Sequence, residues 1–155
     1  MRNVFLVLAA LLSGAASAAP TPAVKLEAVT VHLYLEGSGQ LSSDVLSVPE
    51  FFARNFTPMG VGIPDGEKFH TFLVRLSFVA PKESYERGSL AEVRISNEQT
   101  GKVVLSRTVK GIYVGPTKRA YVPIFIEGHE CEPMILEVKS ADKTFKKQLP
   151  FSCGE

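Results

Sequence analysis

The chain has 155 residues, 17 Lys and Arg against 16 Asp and Glu, ten phenylalanines and no tryptophan. A charge this close to balance, scattered along the chain, argues against a nucleic-acid binder, which needs a surplus of cations to displace counterions from phosphate. The length fits one ordinary domain.

The first eighteen residues, MRNVFLVLAALLSGAASA, have the three parts of a secretory signal. Arg2 is the positive start, Val4 to Leu12 form an apolar run, and Ala16-Ser17-Ala18 is a small-x-small cleavage site. The run is too short to cross a bilayer, which takes about 20 residues. LLSGA comes close to a lipoprotein signal but has Ala15 where the lipid-bearing cysteine would stand. The expectation is an exported protein, periplasmic or secreted, with no membrane span and no lipid anchor. Cleavage after Ala18 leaves 137 residues with 16 basic and 16 acidic side chains. Residues 19–28 then read as a flexible leader and 29–155 as a single domain.

VTVHLYLE alternates, with Val29, Val31, Leu33 and Leu35 on one side and Thr30, His32, Tyr34 and Glu36 on the other, which predicts a half-buried strand. The next strand comes only about 30 residues later, a connection too long to lack structure of its own. Within it, PEFFARNFTPMGVGIPDG (49–66) is apolar without alternation. Ser47-Val48-Pro49-Glu50 matches a capping box and predicts a short helix over EFFARNF. TPMGVGIPDG then returns as extended chain, because its prolines block helix. Phe51, Phe52, Phe56, Met59, Val61 and Ile63 have two possible roles: a plug over an open end of the core, or an exposed binding surface. The direction of the phenylalanines separates them.

KFHTFLVRLSFVA (68–80) is a long, aromatic-rich second strand ended by Pro81. SLAEVRIS and KVVLSRTVK flank NEQTG as a hairpin; pairing about Gln99 sets Ile95 opposite Val103 and Val93 opposite Leu105. RAYVPIFIEG is a fifth strand, and Pro123 marks it as an edge or a bulge. EPMILEVKS and TFKKQLPFS form the last hairpin. A turn centred on Asp142 would set Ile135 opposite Leu149, Glu137 opposite Lys147 and Cys131 opposite Cys153. The only two cysteines would then form a disulfide stapling the open end of that hairpin. The fold class expected is all-β: an antiparallel, immunoglobulin-like β-sandwich of about seven strands, with a short helix between the first two. The pattern does not fix strand order.

Signals for chemistry are few. Glu127, His129, Glu130 and Glu132 lie within six residues, and an imidazole with carboxylates suits zinc or copper(II). His32 and His70 share no metal-ligand spacing with them. Ser38 sits in GSGQ without the strand-turn-helix context of a hydrolase nucleophile. The carboxylate pairs Glu83/Glu86 and Glu130/Glu132 assign no acid and base by spacing alone. Asn55 in NFT is a formal glycosylation acceptor. No catalytic residue and no cofactor is expected.

The ending GHECEPMILEV…QLPFSCGE resembles that of small exported proteins of Gram-negative bacteria with a paired GCEP-like and PFxCGE ending. The layout LVRLSF…VRIS…GKVVLSRTV…AYVPIFI is similar too, so the resemblance covers about residues 70 to 155. It implies a periplasmic location and a disulfide-stapled sandwich, and carries over no catalytic residue. The expected function is a binding or accessory module that offers a strand edge or loop surface to another envelope or extracellular protein. The alternative is a small-ligand or metal-binding protein using 127–132. Oligomeric state is left open.

Overall fold

The structure, a computed structural model, describes residues 23–60, 63–129 and 131–154. The expected signal segment 1–18, Val61 and Glu130 lie outside them. Seven long strands carry the fold: β1 (Lys25–Leu35), β5 (Thr71–Val79), β6 (Ser84–Asn97), β7 (Val103–Val114), β8 (Arg119–Glu127), β9 (Met134–Ser140) and β10 (Thr144–Leu149). Four short strands are added: β2 (Gln40–Leu41), β3 (Phe52–Arg54), β4 (Thr57–Met59) and β11 (Phe151–Ser152).

Two four-stranded antiparallel sheets, ordered β2-β1-β5-β8 and β10-β9-β6-β7, pack as a sandwich. Alternation explains the packing, because every second residue of a strand points to the same face. Val31, Leu33, Val74, Leu76 and Ile124 from the first sheet meet Val93, Ile95, Leu136, Val138 and Leu149 from the second in one buried core. With the long strands lettered A to G, the sheets are A-B-E and G-F-C-D. A constant-type immunoglobulin domain places the fourth strand beside E; here it pairs with C along the β6–β7 hairpin.

A third small sheet, β11-β3-β4, joins the residues after β10 to the connection between β1 and β5. The capping-box helix does not form there. Among the described residues the one helical turn is a 3-10 turn at Val45–Ser47, whose N-cap is Asp44: its carboxylate accepts from the Leu46 N–H. It also accepts from Val31 N–H at 2.9 Å, which pins the turn to β1. EFFARNF instead folds back as the β3–β4 hairpin, with Asn55 and Phe56 at φ 51° and 63°. Two consecutive positive φ values match the twist of a two-residue hairpin. Phenylalanine rarely adopts that conformation; here Phe56 stacks on His70 at 4.7 Å and its carbonyl accepts from Phe69 N–H.

The leader also differs from expectation. β1 starts at Lys25, Val24 and Leu26 are buried, and a bulge between Leu26 and Ala28 resets the alternation. Both hairpin registers sit away from the expected pairing. Ile95 faces Leu105 and Val93 faces Arg107, because Asn97 Oδ1 accepts from Gln99 N, Thr100 N and Thr100 Oγ1 and a bulge follows Ile95. In the last hairpin Ser140 N–H donates to Lys143 O, so the turn is the two residues Ala141-Asp142. Glu137 therefore faces Lys146 and Ile135 faces Gln148.

The Cys131–Cys153 disulfide is formed, but outside that ladder. Pairing stops at Leu149 and Met134. The next positions are Pro150 and Pro133, neither of which has an N–H to donate. Their carbonyls turn elsewhere, to Ala53 N and Glu98 N. The tail then runs parallel to β3, Phe151 beside Ala53, and the bridge ties it back across a sequence separation of 22 residues.

Closing a loop of that length contributes roughly 3 kcal/mol by restricting the unfolded chain. Reduction, or Cys131→Ser with Cys153→Ser, is expected to lower the urea midpoint by that order and leave the cooperative transition of the sandwich in place. An unchanged midpoint would remove the stapling role.

Candidate interaction surfaces

The sequence singled out the connection 49–66, and the structure divides it. Phe51 is buried and meets Phe151 edge-on at 6.2 Å. Phe151 also contacts Phe69 and Phe72, each at 5.3 Å, so four rings close one end of the core. Phe56 and Ile63 are half-buried. Phe52 and Met59 face each other across β3 and β4 and are both 44% exposed. The plug and the surface are thus alternate residues of one hairpin.

In the segment 127–132 the structure brings His129 and Glu132 near each other. His129 Nδ1 lies 3.7 Å from Glu132 Oε1, beyond hydrogen-bond reach. Glu132 Oε2 is used otherwise, accepting from Asn97 Nδ2 at 3.0 Å. Glu127 is exposed at the end of β8, opposite Thr71. Among the described residues no three His, Cys, Asp or Glu side chains converge as metal ligands. The other histidines are engaged: His70 Nδ1 with Glu36 at 2.6 Å, His32 with Ser42 O and Thr30 Oγ1, both at 2.9 Å.

A surface that the sequence pattern did not single out is the outer face of β2-β1-β5-β8. Directly paired residues share a face, and the register gives its rows. Tyr34 lies opposite Leu41; His32, Leu73 and Phe125 form the next row; Thr30, Arg75 and Pro123 the next; Ala28, Ser77 and Tyr121 the one after. Tyr34, Leu41, Tyr121 and Phe125 are between 43% and 59% exposed, while Leu73 beneath them is buried. Such a run of half-exposed large side chains on one sheet face is more than scattered surface hydrophobics. The alternation of β1 was legible, but the neighbours of its outer residues depend on strand order.

The opposite outer face, on β10-β9-β6-β7, is built from charge. Lys146, Glu137, Arg94 and Ser106 form one row, and Thr144, Lys139, Glu92 and Thr108 the next, so opposite charges meet within rows. Between rows, Lys139 Nζ lies 2.8 Å from Glu137 Oε1. That ammonium holds the Glu137 carboxyl below its usual range, with Lys146 and Arg94 adding to the effect, and the carboxylate in turn raises Lys139.

Among known proteins, no family model and no curated sequence matches this chain. The fold and surfaces define an immunoglobulin-like β-sandwich with one outer face of mainly aromatic and aliphatic side chains and one of charged rows, beyond which Tyr85 and Tyr113 are exposed on the β6–β7 ribbon.

A carboxyl held low in the folded state stabilises the fold at pH above its unfolded value, and that contribution is lost as pH falls through the folded value. Lys139→Gln is therefore expected to move the Glu137 titration up toward the ordinary range. The stability tied to the shift would then shrink, and its loss on acidification would be complete at a higher pH. Both groups are solvent-exposed, so the shift should shrink with added salt. Carboxyl carbon NMR of Glu137 across pH reads this out; an unmoved titration would sink the ladder.

Proposed function

We propose that this protein is an exported binding or accessory module, periplasmic or secreted, that docks another envelope or extracellular protein and performs no catalysis. The observation that carries the docking reading is the asymmetry of the two outer faces. On one, lysine or arginine stands beside glutamate along each row and Lys139 pairs with Glu137 between rows, with exposed Tyr85 and Tyr113 only beyond β9 on the β6–β7 ribbon. On the other, Tyr34, Leu41, Tyr121 and Phe125 leave apolar area in water where the strands run side by side. Burying such area against a partner is favourable by about 25 cal/mol per Å². Aromatic residues are also enriched in the buried centres of protein interfaces.

Export is supported by the signal-like start, by the resemblance of the ending to exported proteins of Gram-negative bacteria, and by the disulfide, which persists in oxidising compartments. No helix among the described residues is long and apolar enough to cross a membrane.

Expression of the full chain in a Gram-negative host is expected to yield a periplasmic product whose N-terminal residue is Ala19. A photo-reactive phenylalanine analogue placed at Phe125 should give a discrete adduct in envelope extract, and the same group at Arg94 should give none. Equal labelling from both positions, or no adduct at 125, would remove the docking reading.

A further inference from the structure

Arg75 occupies the middle row of the aromatic face. It lies on the central strand β5, between Thr30 of β1 and Pro123 of β8. Its guanidinium carbon stands 5.6 Å from the centre of the Tyr121 ring, close enough for a cation–π attraction. Among the described residues Arg75 forms no ion pair, and its Nε is buried without a hydrogen-bond partner. Other polar groups of the face satisfy one another: His32 takes up Thr30 Oγ1 and Ser42 O. The charged groups at the two ends of the face, exposed Lys25 with the Arg119–Glu27 pair and Glu127, sit near the rows of Val79 and Thr71. Each row is four residues along β5 from Arg75, about 13 Å away at the rise of a strand. Glu36 is held by His70.

The face therefore carries one unpaired, partly desolvated cation amid apolar side chains. A guanidinium presents its donors in a planar fork that matches a carboxylate, and a tyrosine beside it limits the directions it can take. The geometry points to a carboxylate as the group Arg75 takes from the docking partner: a protein segment that carries an Asp or Glu flanked by aromatic or aliphatic residues. This rests on the docking reading above and adds the chemistry of the partner. The apolar neighbours would cover Tyr121 and Phe125, and the carboxylate would meet the terminal guanidinium nitrogens, since Nε itself is covered.

A random peptide library displayed on phage and panned on the disulfide-bonded protein, secreted from the full chain, tests it. Enriched peptides are expected to contain an acid between apolar residues. A synthetic peptide of the top sequence and its twin with that Glu changed to Gln would then be titrated against wild type, Arg75→Lys, Arg75→Gln and Phe125→Ser. On wild type the Gln twin should bind about tenfold weaker or worse, the scale of a lost charge-assisted hydrogen bond. On Arg75→Gln the two peptides should bind alike, and Arg75→Lys should keep part of the preference, having the charge without the fork. A simple folding defect would weaken both peptides on both variants and leave their ratio unchanged. Enrichment without acids, no enrichment, or a preference that survives Arg75→Gln would each overturn the carboxylate. If Phe125→Ser still abolishes binding in that case, the docking face stands and only its chemistry is wrong; if it does not, the docking reading fails with it.

Discussion

The arrangement depends on the burial of Phe151. A two-sheet sandwich has open ends where strands stop, and apolar residues there face water unless something covers them. Phe151 fills one such end, in contact with Phe51, Phe69 and Phe72. Full burial of such a side chain contributes about 1.5–3 kcal/mol. The contact also decides the path of the chain on both sides. The opposed Pro133 and Pro150 end the β9–β10 ladder, so the tail is free to leave the sheet and pair with β3. With β3 held there, the connection between β1 and β5 is tied down at Asp44, fixed to β1, and at Phe56, stacked on His70. The disulfide lies just beyond Phe151 in sequence and keeps the tail from peeling away.

With the interior and one end closed, the remaining differences lie on the outer faces. A sheet face exposed to water usually carries polar side chains at its outward positions. The β10-β9-β6-β7 face follows this where β9 lies beside β6, its rows setting lysine or arginine beside glutamate, while Tyr85 and Tyr113 are exposed farther along the β6–β7 ribbon. The β2-β1-β5-β8 face departs from it at Tyr34, Leu41, Tyr121 and Phe125. Folding does not need these residues large and apolar, since the core is complete on the other side of the same sheet. The docking proposed above would give them a use.

Much of the fold was legible because alternation is a local signal. Val29 to Leu35 and the apolar positions of β9 could be assigned from their neighbours alone, and seven long strands follow from seven such runs. Registers were harder: one side-chain contact, Asn97 with Thr100, or one two-residue turn at Ala141-Asp142, moves a whole ladder relative to a guess centred on the loop. The segment EFFARNF (50–56) read as helix because Ser47 and Glu50 had the right spacing. Glu50 instead has φ 53°, outside the helical region, and Asp44 serves as the cap. The two cysteines were paired correctly from a register one position off, because the prolines let both ends drift from the ladder together. The aromatic face was out of reach, since the side-by-side placement of β1, β5 and β8 is set by tertiary packing.

The same strand order bears on how a partner could be met. β8 is an edge of its sheet, and an edge strand offers unpaired backbone to an incoming strand. Pro123 stands in the middle of β8 and has no N–H, so an added strand would lose a bond at its centre. Such a proline on an edge guards against strand addition. Its side chain, opposite Arg75, meanwhile adds a rigid apolar surface to the face. The residue that weakens the edge as a docking site thus belongs to the row that holds the unpaired guanidinium. Recognition through side chains on the sheet face, rather than through backbone at its rim, is the mode these positions favour together.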